Sequence, residues 1–218
     1  MKKYTLRFNS ILLGLILVFT IGQEATAALF TFSNTAPITI NDNAAATPYP
    51  ATINISGFTA GIADLNVTVT GLSHTFPTDI GILLVGPGGQ TVVLMNNTGG
   101  INPISNVNLT FDDEAVTGVP NPIFGSLASG SYRPTNLAPA GSFLSPAPAG
   151  PYGTRLSLFD GTSPNGLWRL FVEDFAAGDS GLISGGFGLQ VTTPEPSTLL
   201  LFGVGLLTIS VWLRRREM

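Results

Sequence analysis

Glycine and proline interrupt the chain between residues 28 and 193 so often that no stretch can form a long helix. The 218-residue sequence contains 26 glycines and 16 prolines, and within this region no segment of ten or more residues repeats apolar side chains with the 3.6-residue period of a helix. Short runs instead alternate apolar and polar residues, which is typical of half-buried strands. We therefore predict an all-β domain.

The individual runs predict a β-sandwich of about eight or nine strands. Residues 79–85 and 92–95 are almost continuously apolar, which indicates strands covered on both faces. The turn sequence Gly86-Pro87-Gly88-Gly89 between them predicts a hairpin. Further strands are predicted over 53–55, 65–70, 107–111, 155–159, 167–173 and 182–191.

Residues 117–151 differ from the rest of the predicted sandwich. They hold seven prolines among many glycine, alanine and serine residues, which predicts a surface excursion within one domain, 28–193. The alternative is a linker between two domains, but only three strands are predicted after it, too few for a second core. Long loops are often functional, so a polysaccharide or protein ligand is expected here.

The N-terminus has the pattern of a signal peptide. Three basic residues precede the apolar run 11–21, and Ala25 and Ala27 are the small residues that signal peptidase prefers. Residues 1–27 are therefore predicted to be removed on export. The alternative is an uncleaved N-terminal anchor, for which the apolar run is short.

The C-terminus, residues 194–218, combines an extended peptide with an apolar helix. Pro194 and Pro196 hold Glu195 in an extended, exposed conformation. The apolar run 199–213 would form a helix of roughly 22 Å, which crosses the roughly 30 Å hydrocarbon core only if the bilayer thins locally. The basic residues that follow, Arg214, Arg215 and Arg216, predict a transmembrane helix with a cytoplasmic C-terminus.

This arrangement resembles the PEP-CTERM sorting signal of Gram-negative bacteria. The resemblance rests on Pro194, Glu195, Pro196, the apolar run and the three arginines. It implies transient anchoring in the inner membrane and cleavage by an exosortase near Pro-Glu-Pro, followed by delivery to the envelope or extracellular matrix. The alternative is an ordinary single-pass anchor with a proline-rich stem.

Charge and cysteine content exclude several classes of function. Residues 28–193 contain ten carboxylates, three arginines and no lysine, so this region has a net charge of about −7. Such a surface repels nucleic acid and anionic headgroups. The sequence contains no cysteine, which excludes disulfides, thiol catalysis and thiolate metal sites.

Two segments of the predicted sandwich resemble the P domain of subtilisin-like proprotein convertases. Residues 73–89, SHTFPTDIGILLVGPGG, and residues 165–174, NGLWRLFVED, match its two motifs, and 177–181 and 187–189 extend the second. The long excursion and Phe187, in place of a tryptophan, depart from the family. The resemblance implies a jelly-roll-like β-sandwich that regulates a neighbouring protease and has no catalytic centre of its own.

A catalytic role is permitted by composition but not favoured. His74 is the single histidine, so a Ser-His-Asp triad would need it, yet no G-x-S-x-G sequence accompanies any serine. His74 is expected to bond a backbone group in a turn. We therefore predict a protein that is not an enzyme.

Acidic residues at the ends of predicted strands suggest a calcium site. Asp112, Asp113 and Asp174 are the candidate ligands, with Asp79 and Asp179 as secondary candidates. Calcium prefers such hard oxygen donors. The alternative is that they are solvated carboxylates without a metal.

Two functions follow from the sequence. The favoured one is a non-catalytic exported protein of the envelope or extracellular matrix, with a structural or interaction role in the exopolysaccharide layer. The alternative is an accessory domain to, or part of, an exported protease or hydrolase system. Exosortase and signal peptidase are the expected processing enzymes in both cases.

Overall fold

The computed structural model describes residues 27–137 and 143–194, which contain twelve strands and two short 3₁₀-helices. The 3₁₀-helices span Pro77–Asp79 and Leu156–Phe159. The strands are β1 (Ala28–Asn34), β2 (Ile38–Ile40), β3 (Ala51–Ile55), β4 (Asp64–His74), β5 (Ile80–Val85), β6 (Thr91–Asn96), β7 (Ile104–Phe111), β8 (Gly130–Tyr132), β9 (Thr135–Asn136), β10 (Gly166–Asp174), β11 (Gly181–Ile183) and β12 (Phe187–Thr193).

The strands form two sheets. The first sheet has the order β1-β12-β4-β11-β2, with β7 paired to β4 and β8 paired to β7. The second sheet has the order β3-β10-β5-β6-β9. Pairing is antiparallel throughout, except that β8 lies parallel to β7 and β9 lies parallel to β6. The predicted all-β class is thus confirmed.

Alternating side chains of both sheets build the main core. Leu65, Val67 and Val69 point inward from β4 and are at most 1% exposed. Trp168 and Leu170 of β10 are fully buried in the same cluster. The indole Nε1–H of Trp168 donates to the Pro164 carbonyl at 2.9 Å, so the polar atom of this large side chain is satisfied in the core.

The second sheet is covered on both faces, as its continuous apolar runs predict. All six residues of β5 are buried. On the outer face, Leu83 and Phe171 pack with Phe143 and Tyr152, which lie in the segment 143–153 that we call the cover segment. Burial of an apolar side chain contributes about 1.5–3 kcal/mol, so the cover segment stabilises the domain.

A buried carboxylate attaches the cover segment to the second sheet. Glu173 of β10 is 5% exposed, and its Oε2 accepts the Leu144 N–H at 2.8 Å. The Tyr49 hydroxyl lies 3.2 Å from the same oxygen and 2.8 Å from the Leu144 carbonyl. Burial and the negative charge of Glu173 raise the pKa of the Tyr49 hydroxyl, so it stays protonated and donates.

The strand count differs from the predicted eight or nine. Eight of the twelve strands have five or more residues, and β2, β8, β9 and β11 have only two or three. Strands this short contain less than two periods of alternation, so the sequence gives no signal for them. Both β8 and β9 lie in the excursion 117–151, of which residues 138–142 are outside the described part.

Two predicted strands are wrong. Residues 155–159, predicted as a strand, contain the second 3₁₀-helix because the Asp113 carboxylate accepts the N–H groups of Leu156 and Ser157 at 3.0 and 2.9 Å. Residues 182–191 divide into β11 and β12. The chain turns between them at Gly186, whose φ of 66° is a left-handed conformation that favours glycine.

The first and last strands are neighbours. β1 pairs antiparallel with β12 from Ala28 opposite Thr193 to Asn34 opposite Phe187. Pro194 follows β12 and is exposed, as is Ala27 before β1. The signal peptide, the rest of the sorting motif and the apolar run 199–213 lie outside the described residues. Within 27–137 and 143–194 no helix is long and apolar enough to cross a membrane.

Candidate functional site

A buried histidine and a buried aspartate join the two sheets at one end of the sandwich. His74 ends β4 in the first sheet, and Asp174 ends β10 in the second. Nδ1 of His74 accepts the Phe76 N–H at 3.2 Å, so the proton of the neutral ring is on Nε2. Nε2–H then donates to Oδ2 of Asp174 at 3.1 Å, and both side chains are fully buried.

The Asp174 carboxylate has a second donor. Its Oδ1 accepts the Ala176 N–H at 2.9 Å. Burial raises the pKa of the Asp174 carboxyl, while the Ala176 N–H and His74 act in the opposite direction. Both oxygens of the Asp174 carboxylate thus accept a hydrogen bond within the protein. The pair of His74 and Asp174 stabilises the contact between the two sheets.

Further carboxylates surround this pair. The Thr75 hydroxyl donates to Oδ1 of Asp179 at 2.7 Å, and Oδ1 of Asp42 accepts the Gly178 N–H at 2.8 Å. Burial raises the pKa of the Asp79 carboxyl, and the charges of Asp174 and Asp179 add to the effect. We call this group the histidine end: His74, Thr75, Asp79, Asp174 and Asp179.

The geometry of the histidine end fits a structural role for His74. Both ring nitrogens of His74 have partners inside the protein, so neither can deprotonate a serine hydroxyl as a triad requires. The sequence predicts that His74 bonds a backbone group in a turn, and the bond from Phe76 N–H does so. The bond to Asp174, 100 residues away, has no signal in the sequence.

A second acidic group lies at the opposite end of β4. A cleft of about 400 Å³ beside Asp64, the first residue of β4, is lined by carboxylates. We call it the acidic cleft. Its lining residues are Ala63, Asp64, Asn66, Asp112, Asp113, Glu114, Ser157 and Asp160.

The carboxylates of the acidic cleft repel one another. Burial raises the pKa of Asp64, and the charge of Asp112 adds to it. The pKa of Asp160 is raised by burial and by the charges of Asp64 and Asp113. A side-chain hydrogen bond with Asp112 raises the pKa of Glu114. Proton uptake at this cleft is therefore easier than at isolated carboxylates.

The predicted calcium ligands do not form one site. Asp112 and Asp113 line the acidic cleft, whereas Asp174 is at the histidine end with Asp79 and Asp179. β4 has eleven residues, so the two ends are about 33 Å apart. Across the described part of the chain, no group of three or more histidine, aspartate or glutamate residues could hold a metal ion. Asp112 and Asp113 instead accept backbone N–H groups, from Glu114 at 2.7 Å and from the second 3₁₀-helix.

A third feature is a cleft that contains two arginines. Arg133 and Arg155 line it together with Asp113, Pro134 and Thr154, and its volume is about 530 Å³. We call it the arginine cleft. No local sequence pattern predicts this cleft. Residues 28–193 contain only three arginines, however, so two of them at one place indicate a candidate binding site.

Residues 192–216 match the PEP-CTERM protein-sorting motif. The match begins in β12, at Thr192, and continues beyond the described residues. This motif implies exosortase-dependent export through the envelope of a Gram-negative bacterium, as the sequence predicts.

Other comparisons concern the sandwich. Comparison with curated proteins finds no match. Among solved structures, the chain is similar to a serine protease of Aeromonas sobria with 17% identity over 76% of this chain and 26% of the protease, at a TM-score of 0.39. It is also similar to the complex of that protease with its chaperone, with 17% identity over 78% and 27% and a TM-score of 0.38. The chain spans about a quarter of the length of these structures.

Proposed function

We propose that this protein is a non-catalytic component of the envelope or extracellular matrix, with a structural or interaction role in the exopolysaccharide layer. The observation that carries the proposal is the sorting motif at 192–216, which continues directly from the last strand of the sandwich. Exosortase processes the tail near Pro-Glu-Pro, and signal peptidase removes residues 1–27. The tail anchors the protein in the inner membrane only until processing.

The sandwich itself is a P-domain-like module in this proposal. Two contacts between its motifs support the assignment, although the motifs are far apart in sequence. Nε2 of His74 in the first motif contacts Asp174 in the second at 3.1 Å. Residues 80–85 of the first motif also pair antiparallel with residues 169–174 of the second. Motifs that contact each other in this way act as one structural unit.

The chemistry of the described residues favours binding over catalysis. His74, the single imidazole of the sequence, uses both nitrogens internally. Asp64 and Asp160 of the acidic cleft have raised pKa values, but Asp64 is only half-buried and Asp160 is exposed. A general acid of the glycosidase kind gains its raised pKa in an apolar pocket.

Replacement of Glu195 by alanine tests the sorting function. The exported protein of the wild type is expected to lose its tail, whereas Glu195→Ala is expected to stay in the membrane fraction at the size of the tailed form. Glu217→Ala removes the same charge outside the matched residues 192–216 and should be processed normally. Immunoblots of membrane and extracellular fractions measure both results.

Two outcomes would contradict the proposal. Normal processing of Glu195→Ala would remove the exosortase step. Stable recovery of the wild-type protein with a subtilisin-like protease, and not with polysaccharide, would favour the accessory function over the matrix function.

A further inference from the structure

Basic residues are concentrated at one place on an acidic domain. Residues 28–193 contain only three arginines and no lysine against ten carboxylates. Two of the three, Arg133 and Arg155, line the arginine cleft, and the third, Arg169, lies in β10 of the second sheet. The arginine cleft is therefore the one concentration of positive charge in the part of residues 28–193 that the structure describes.

Neither guanidinium is neutralised by a carboxylate. Among the described residues the single ion pair joins His74 and Asp174. Nη1 of Arg133 donates to the Ala115 carbonyl at 3.3 Å, which occupies one of its five N–H donors. The side chains of both arginines are exposed, so the remaining donors are open to a ligand.

The acidic residue in the cleft is already engaged. Oδ1 and Oδ2 of Asp113 accept the N–H groups of Leu156 and Ser157, at 3.0 and 2.9 Å. These bonds hold the carboxylate at the start of the second 3₁₀-helix, directly after Arg155. Asp113 therefore fixes the position of Arg155 through the backbone.

The backbone of Arg133 is also held in place. Its N–H donates to the Thr117 carbonyl at 2.8 Å, and its carbonyl accepts the Thr135 hydroxyl at 2.8 Å. A site whose backbone is fixed before binding loses less conformational entropy when a ligand arrives.

We propose that the arginine cleft binds the carboxylate groups of an acidic polysaccharide. Arg133 and Arg155 offer planar, paired N–H donors that match a carboxylate. The hydroxyl of Thr154, an exposed residue in the same cleft, is a partner for sugar hydroxyls. This inference rests on the proposed function in the exopolysaccharide layer and names the class of polysaccharide.

The rest of the domain selects against denser polyanions. The acidic cleft shares Asp113 with the arginine cleft, so its carboxylates border the site. A nucleic acid, with a charge on every unit of each strand, would place phosphates against these carboxylates. A polysaccharide with widely spaced carboxylates can place one of them between the arginines and keep neutral sugars beside the acidic cleft.

The test measures binding of the exported protein to a partly methyl-esterified oligogalacturonate, whose free carboxylates are separated by neutral sugars, by isothermal titration calorimetry. Arg133→Gln and Arg155→Gln are each expected to weaken binding about tenfold, the loss of one charge-assisted hydrogen-bonding group. The double variant should show no measurable binding. Arg169→Gln removes the same charge outside the cleft and should bind within about twofold of the wild type.

Three controls separate the outcomes. Circular dichroism and thermal melting must show that each variant is folded as the wild type is. The fully methyl-esterified oligogalacturonate, which lacks the charge, should not bind. Polyglutamate provides carboxylates without sugars and should bind at least about tenfold more weakly than the oligogalacturonate.

Different failures have different meanings. Equal binding by the double variant and the wild type, or equal binding of polyglutamate, would overturn the inference. Binding of a neutral glucan but not of the oligogalacturonate would also overturn it, and would leave the proposed matrix function intact. A wild-type protein that binds no polysaccharide and does not reach the extracellular fraction would contradict both.

Discussion

At one end of β4 a carboxylate is buried and bonded, and at the other end carboxylates crowd a surface cleft. Asp174, at the histidine end, accepts one N–H at each of its oxygens and links the two sheets. Asp64, in the acidic cleft, is half-buried, and burial together with the charge of Asp112 raises its pKa. Both carboxyl groups have raised pKa values, but removal of Asp174 would leave buried donors without an acceptor, whereas removal of the Asp64 charge would relieve repulsion.

The largest expected effect is at the histidine end. Asp174→Ala leaves the Nε2–H of His74 buried without an acceptor and removes the partner of the Ala176 N–H. We expect the free energy of unfolding to fall by about 3 kcal/mol, the usual cost of breaking a buried pair. Urea unfolding followed by tryptophan fluorescence measures the change.

Asp179→Ala is the control for this experiment. It removes a partly exposed carboxylate from the same end of the sandwich, where it accepts the Thr75 hydroxyl. A loss of about 1 kcal/mol is expected. If both variants lost the same stability, the buried pair would have no special role.

The pH dependence of the stability tests the effect of the raised carboxyl pKa values at both ends of β4. A carboxyl group whose pKa is higher in the folded protein binds more protons there than in the unfolded chain, between the unfolded and the folded pKa values. Asp64, Asp79, Glu114, Asp160 and Asp174 all have raised pKa values. Stability is therefore expected to rise as the pH falls below 7 through the folded pKa values of these groups, towards the ordinary carboxyl pKa of about 4.

Asp64→Asn assigns part of this effect to the cleft. We expect the variant to be about 0.5 kcal/mol more stable than the wild type at pH 7, within the usual range for a surface substitution, and to gain less on acidification. Asp179→Asn makes the same charge change at the histidine end, where it relieves repulsion on Asp79 but weakens the charge-assisted bond from the Thr75 hydroxyl, so no net stabilisation is expected. Wild-type stability that increased steadily from pH 5 to 7 would contradict the prediction.

Calcium is expected to have the smallest effect. Because the described residues hold no group of three metal ligands, excess calcium over chelator should raise the melting temperature by no more than about 2 °C, through shielding of the cleft. Magnesium at the same concentration should act equally. A larger rise that is specific to calcium and lost in Asp64→Asn would establish a site in the acidic cleft.

The second sheet is where sequence reasoning performs best. Trp168, Leu170 and Val172 alternate with period two and lie in the main core, while Phe171 lies on the opposite face. The apolar runs on either side of Gly86–Gly89 form the hairpin of β5 and β6. These features depend on residues close together in the chain, so local pattern contains the information.

The features that escaped prediction depend on distant residues. The second 3₁₀-helix forms where Asp113, 43 residues before Leu156, accepts its first N–H groups. Asp112 and Asp113 follow β7 and Asp174 ends β10, but the topology places these two strand ends towards opposite ends of β4. Arg133 precedes the cover segment in the sequence and Arg155 follows it, so the two side chains line one cleft only in the folded domain. The local sequence pattern does not indicate which strand ends lie close together in the folded domain.

The pairing of β1 with β12 sets the order in which this domain can fold. The first strand, β1, pairs along its whole length with the last strand, β12, from Ala28 opposite Thr193 onward. During vectorial export β1 emerges first and has to wait for β12, and such distant contacts form slowly. Because the match to the sorting motif begins at Thr192, which pairs with Leu29, the residues that complete the first sheet are also the first residues of the sorting motif.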